Sequence, residues 1–178
     1  MNKNIIVAAS LLLALTFFSP VKSSAMMVET SAAELARLDP ARLAQDAKII
    51  VRGEVKSVRS YKGINDVIYT RASVLVSDVI KGKNIKKNIT VEYEGGEVGD
   101  IGMRVEDEPT LEKGEQVLLF LTNSFWRKNV YYIVGGVLGK YAICTDDTVR
   151  IVSSCEEEED GQERQTLEDL LNEIENAD

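Results

Sequence analysis

Between Lys48 and Val152 the chain passes through one short apolar and polar alternation after another, each separated by a turn, with no helical stretch between them. Side chains alternate faces along a strand, so such runs read as half-buried strands. Many short strands joined by turns fold as an antiparallel barrel or sandwich. The lack of intervening helices argues against a parallel sheet, and with it against a dinucleotide-binding fold.

The runs can be placed. KIIVRGEVKSVRSY (48–61) is a strand with one wet face, and Gly53 marks a bulge or a barrel bend. VIYTRASVLVSDVIKG (67–82) follows the turn KGIND, with Ile68, Thr70, Ala72, Val74, Val76 and Val79 inward. ITVEYEG (89–95) is a third strand and IGMRVEDE (101–108) a short edge strand. QVLLFLTN (116–123) is almost wholly apolar, which predicts a central strand; VYYIVGG (130–136), KYAIC (140–144) and TVRIV (148–152) complete the set.

The flanks differ in kind. MNKN, a fourteen-residue apolar run and SPVKSSA have the layout of a secretory signal peptide over 1–25, with Ser23 and Ala25 as the small residues at the cleavage positions. An exported protein, secreted or periplasmic, beginning near Met26 and free of any membrane span is the expectation. Residues 26–47 form a helical segment, with Asp39 and Pro40 as a start signal. The strand domain occupies 48–155, and 156–178 is an acidic tail. In it TLEDLLNEIENA predicts a short amphipathic helix with Leu167, Leu170, Leu171 and Ile174 on one face, and Thr166 and Asp169 as a weak capping box. The sequence leaves open whether this helix docks on the barrel or captures something else; with the tail read as solvated, deletion after Cys155 is expected to change the melting temperature little.

Charge narrows the partners. Without Lys3 and Lys22 the chain keeps 19 basic and 29 acidic residues; the tail holds 11 acids and only Arg164, so residues 26–155 balance at 18 against 18. A neutral body argues against nucleic acid, whose binding is dominated by phosphate neutralisation. Histidine is absent, which removes the usual base and the commonest metal ligand. Glu156 to Asp160 lack the spaced oxygens and glycine of a calcium loop. No cofactor is expected.

Two stretches carry surface chemistry. YEGGEVGDIGMR (93–104) is glycine-rich but is not followed by the lysine and hydroxyl residue of a phosphate loop, and Glu94, Glu97 and Asp100 would repel phosphate. It reads either as a bent barrel connection or as a protruding loop whose Val98, Ile101 and Met103 meet a partner. TNSFWRKNVYY gathers Phe125, Trp126, Tyr131 and Tyr132, with Arg127 and Lys128 at a hairpin apex and Trp126 the foremost candidate for exposure. The choice lies between core filling and an aromatic, basic tip for a protein or a glycan. The candidate partner-binding residues are therefore Gly95, Gly96, Glu97, Val98, Gly99, Asp100, Ile101, Gly102 and Met103, with Phe125, Trp126 and Arg127. Cys144 and Cys155 are either a disulfide or two separate thiols; a bond requires the chain after Val152 to turn back on the hairpin at Asp146 and Asp147.

The order DAKIIVRGEVKSVRS, YTRASVLVSDVIKGK, ITVEYEGGEVGDIGMRVEDEPTLEKGEQVLLFL and YYIVGGVLGKYAI, over about residues 40 to 143, resembles a group of exported prokaryotic proteins of unassigned activity. That group looks like the OB-type barrels of the netrin-like class, which includes the tissue inhibitors of metalloproteinases. The resemblance implies a small OB-like β-barrel and a secreted metalloprotease as partner. It does not carry over the animal inhibitors' mechanism, in which an N-terminal cysteine chelates the protease zinc, because no cysteine precedes Cys144.

The function expected is a non-enzymatic extracytoplasmic protein-binding module, which partners or inhibits such a protease. The alternatives are a carboxylate-dependent hydrolase of envelope polymers, using Glu94, Glu97, Asp100 and Glu106, and a structural envelope protein.

Overall fold

In the computed structural model the described residues are 40–151, 155 and 165–177. The expected leader over 1–25, the segment 26–39 and the charged run Glu156–Asp160 lie outside them.

The apolar stretch from Val117 to Leu121 has its explanation in a strand covered on both sides. Strand β6 (Gln116–Asn123) sends Val117, Leu119 and Leu121 into one core and Leu118 and Phe120 into another. The first core is the interior of a barrel. β1 (Ile49–Lys62) pairs antiparallel with β2 (Ile68–Lys81), and β2 with β3 (Asn88–Glu94). β3 lies parallel to β7 (Val130–Ile133) through Thr90↔Val130 and Val91↔Tyr131, β7 is antiparallel to β6, and β6 returns to β1. The order β1-β2-β3-β7-β6-β1 closes a five-stranded OB-like barrel. Ile49, Val51, Val55, Ala72, Val74, Ile89, Val91, Tyr93 and Tyr131 fill it together with the inward side of β6.

Closing so few strands demands sharp bending. β1 slips register between Arg52 and Gly53, where Ser77 is the extra residue on β2. A side chain at Gly53 would come within 2.6 Å of the Leu75 carbonyl oxygen, so the close approach of the two strands requires glycine there. One expectation is corrected. Ile68 to Val76 point inward in alternation; past the bulge Val79 takes the register position opposite the barrel-core Val51 but is exposed, while Ile80 packs toward the second core.

The second core lies outside the barrel. β8 (Lys140–Ile143) and β9 (Thr148–Ile151) extend the sheet from β6, and the two-residue β10 (Gln165–Thr166) pairs with β9. Two helices cover this extension. α1 (Pro40–Asp46) starts at its proline and buries Leu43 and Ala44. α2 (Leu167–Glu175) begins at Thr166, whose hydroxyl accepts the Asp169 amide at 3.1 Å, and buries Leu167, Leu170 and Ile174. These meet Ile50, Leu118, Phe120, Tyr141, Ile143 and Val149. Cys144 and Cys155 are bonded, with Cα atoms 5.5 Å apart. The chain does turn back after β9, so the disulfide stands and the pair of separate thiols does not.

The terminal helix is thus part of the core, and the expectation that it can be removed without consequence is overturned. Its apolar stripe has a cover because Leu118 and Phe120 point out of the barrel and need one. Leu170, fully buried, is the position to test: Leu170→Ala should cost about 2–5 kcal/mol in denaturant unfolding. Deletion of residues 165–178 should lower the melting temperature by much more than a surface change would.

Candidate functional site

Two surfaces carry the residues singled out in the sequence, and they lie toward opposite ends of β3. At its C-terminal end, Gly95 leads into the hairpin of β4 (Gly96–Val98) and β5 (Ile101–Met103). Gly96 has φ +115° and lies against the Ser60 and Thr70 side chains, so a Cβ has no room there. Those two hydroxyls bond at 2.8 Å, and Thr70 donates to the Gly95 carbonyl at 2.6 Å. The glycine stretch is accordingly a strand hairpin folded over β1 and β2. Ile101 is exposed at its tip; Val98 and Met103 are half-buried.

Behind the hairpin is a groove of about 720 Å³, lined by Val58, Tyr93, Glu94, Met103, Glu108 and Leu111 among others. Glu97 and Glu106 also reach it, whereas Asp100 does not line it. Burial, and then the negative charge of Glu94, raise the Glu108 carboxyl above the usual carboxylate range. Glu108 was not among the acids read from sequence; its neighbours in VEDEP are equally acidic, and only the fold separates them. Lys140 at the same groove is held by Glu115 Oε1 (2.6 Å) and the Thr110 carbonyl (2.8 Å).

The second surface is the connection from β6 to β7, residues 124–129, beside the N-terminal end of β3. Phe125 and Trp126 are each 86% exposed, and their rings meet edge to face with centroids 4.8 Å apart. Tyr131, by contrast, is in the barrel core, so the aromatic cluster divides between interior and surface. The connection is tied to β3 at both its middle and its end. The Thr90 amide donates to the Asn129 carbonyl (3.2 Å), and Asn129 Nδ2 donates to the Asn88 carbonyl (3.2 Å). Arg127 Nη1 and Nη2 donate to Glu92 Oε2 and Oε1, both at 2.8 Å.

Glu92 is the residue that the sequence concealed. It stands on the outward face of β3, yet its side chain is only 2% exposed. Beside the Arg127 fork it accepts from Arg71 Nε (2.6 Å), Tyr61 Oη (2.7 Å) and Tyr132 Oη (3.3 Å). Arg71 also donates from Nη2 to the Tyr61 oxygen (3.2 Å) and lies 4.6 Å from that ring's centre. In ITVEYEG the position reads as an ordinary solvent-facing acid; the one available signal is an outward arginine on the neighbouring strand, Arg71, directly opposite in register. Arg127 is therefore half exposed and half structural: its guanidinium braces the aromatic pair against β3.

The cluster holds a phenol away from its ordinary behaviour. Partial burial, followed by the hydrogen bond and charge of Glu92, pushes Tyr61 up to about 12. Among the described residues no group of three His, Cys, Asp or Glu side chains is placed to hold a metal ion, and no helix is long and apolar enough to cross a membrane. No protein-family model matches the chain, and no curated protein matches it.

Two measurements follow from this cluster. Glu92→Ala leaves two arginines without their acceptor and should cost about 2–4 kcal/mol, near the low end for a broken buried pair because both guanidiniums retain contact with water. For Tyr61 the folded pKa lies above the unfolded value. The native state therefore holds its proton longer, and stability should decline as pH rises from about 10 to about 12. Tyr61→Phe should abolish the part of this decline that an ultraviolet titration assigns to that phenol.

Proposed function

We propose that this protein is an extracytoplasmic, non-enzymatic protein-binding module that engages its partner through Phe125 and Trp126. The observation that carries the reading is the exposure of both rings on a connection braced by the Arg127–Glu92 fork and by Asn129. Two adjacent large aromatics in water are costly unless they are covered in use, and interface energy concentrates on such residues. Bracing matters as much as exposure, since a preordered loop loses little entropy on association. The disulfide fits an oxidising compartment and supports export. A secreted metalloprotease is the partner suggested by the resemblance; blockade would then proceed by loop insertion or by contact away from the protease zinc. The hairpin 96–103, with Ile101 at its tip, is a second contact surface in this reading.

The alternative, a carboxylate-dependent hydrolase, is favoured by one observation: Glu108 in the groove holds its proton more tightly than a free carboxyl, as a general acid requires, and Glu94 stands near it. Glu97 and Glu106 on the same walls could assist; Asp100 could not without moving.

A pull-down from culture supernatant separates the two. The mature protein should recover a partner, identified by mass spectrometry, whose affinity falls at least tenfold for the Phe125→Ala, Trp126→Ala double variant. Replacement of residues 95–103 by a short Gly-Ser turn should cause a smaller loss. Undiminished binding by the double variant would overturn the aromatic reading. Turnover of an envelope polymer that disappears with Glu108→Gln would install the hydrolase in its place.

A further inference from the structure

We infer that the outward face of β1, β2 and β3 beside this loop is a carboxylate-recognition site, and that the segment it takes is an acidic, apolar-flanked stretch of the protein partner. The inference rests on the binding-module reading and specifies its chemistry.

The argument begins with register. Arg59 on β1 lies opposite Arg71 on β2, and Arg71 lies opposite Glu92 on β3. Directly opposed residues share a face, so the three side chains form one row across the sheet, and Arg127 enters that row from the loop. The row holds three guanidiniums and a single carboxylate. Lys128 adds a further positive charge beside Arg127. The nearest competing acid on the face, Glu94, lies in the next row, opposite Tyr69, whose phenol it engages. Among the described residues Arg59 has no acidic partner, so the charge of this face is not cancelled locally.

Donor geometry points the same way. A guanidinium offers five N–H donors. Glu92 and the Tyr61 oxygen take two from Arg71, and Glu92 takes two from Arg127. Three remain on each, and the side chains are 42% and 43% exposed. Glu92 fixes both planes from beneath, so the rotamer entropy that an arginine normally loses on meeting a ligand has already been spent. The Tyr61 hydroxyl gives its one proton to Glu92, and its ring supports Arg71. A planar carboxylate suits such forks, which accept two parallel N–H bonds. Phe125 and Trp126, immediately before Arg127, supply the apolar half of the contact. An anionic group joined to aliphatic or aromatic neighbours describes an acidic peptide better than a uniformly hydrophilic polyanion.

Trp126 is the chain's single tryptophan, so its emission reports on this surface alone. The mature protein should be titrated with an acetylated peptide alternating Glu and Leu, with Gln–Leu and Lys–Leu peptides as controls, and with a sulfated oligosaccharide. The expected result is a saturable blue shift with the Glu peptide only, weakening as salt rises. Arg59→Glu, at a residue that makes no hydrogen bond or ion pair with the Glu92 cluster, should weaken that binding roughly three- to tenfold with an unchanged melting temperature. Arg71→Gln should weaken it further. Equal responses to the Glu and Gln peptides, no response to either, or indifference to Arg59→Glu would overturn the inference. So would a saturable response to the sulfated oligosaccharide without one to the peptide. If a partner is recovered in the pull-down and lost with Phe125→Ala, Trp126→Ala while the Glu peptide fails here, the module stands and only the carboxylate assignment falls.

Discussion

Strand β6 has no solvent face, and most of the molecule is arranged by that constraint. A strand buried on one side can rest on a barrel interior alone. From Val117 to Leu121 every side chain is apolar, so a second layer had to be built outside the barrel. β8 and β9 widen the sheet, and the two helices roof it. The short amphipathic helix at the C-terminal end would be marginal by itself. It is stable here because Leu118 and Phe120 present exactly the kind of surface its stripe lacks in water. The same strand ends at Asn123, where the chain leaves the sheet and forms the aromatic connection. Two cores therefore hold in place the strand that delivers the candidate site.

On the opposite side of the barrel the outer face is polar, and order is obtained by other means. Glu92 is buried by side chains and not by a layer. Four groups converge on it from three strands and one loop. Such an arrangement is weak evidence for stability, since desolvation offsets much of the attraction. Its effect is positional: it specifies where Arg71, Arg127 and the two rings beside Arg127 stand. An apolar residue at 92 would leave both guanidiniums without their acceptor and release the loop.

Much of the architecture was legible because strands announce themselves by alternation. The span of β6 was read to the residue, and Thr166 with Asp169 located the start of α2. Gly53 marked its bulge because a side chain cannot fit between β1 and β2 there. What failed did so where contacts span distant segments. Val79 was placed inward one step out of the alternation that carries Ile68 to Val76, and near the end of its strand it is exposed. The terminal helix was judged dispensable because its charge is visible in sequence and its docking surface is not. Glu92 is invisible for the same reason: burial arises from Tyr61, Arg71, Arg127 and Tyr132, which lie 31, 21, 35 and 40 residues away. Of the aromatic stretch, the exposure of Trp126 was anticipated from its place in a turn, and Phe125 shares it.

The acidic stretch between Cys155 and Gln165 joins two fixed points. Cys155 is bonded to Cys144, and Gln165 pairs with Val149 on the adjoining strand. One proteolytic nick in that interval would leave α2 as a separate peptide, held by the pairing of Gln165 and Thr166 with β9 and by Leu167, Leu170, Ile174 and their neighbours. The protein would then become a two-piece complex whose integrity depends on dilution, and an exogenous copy of the peptide could trade places with the original.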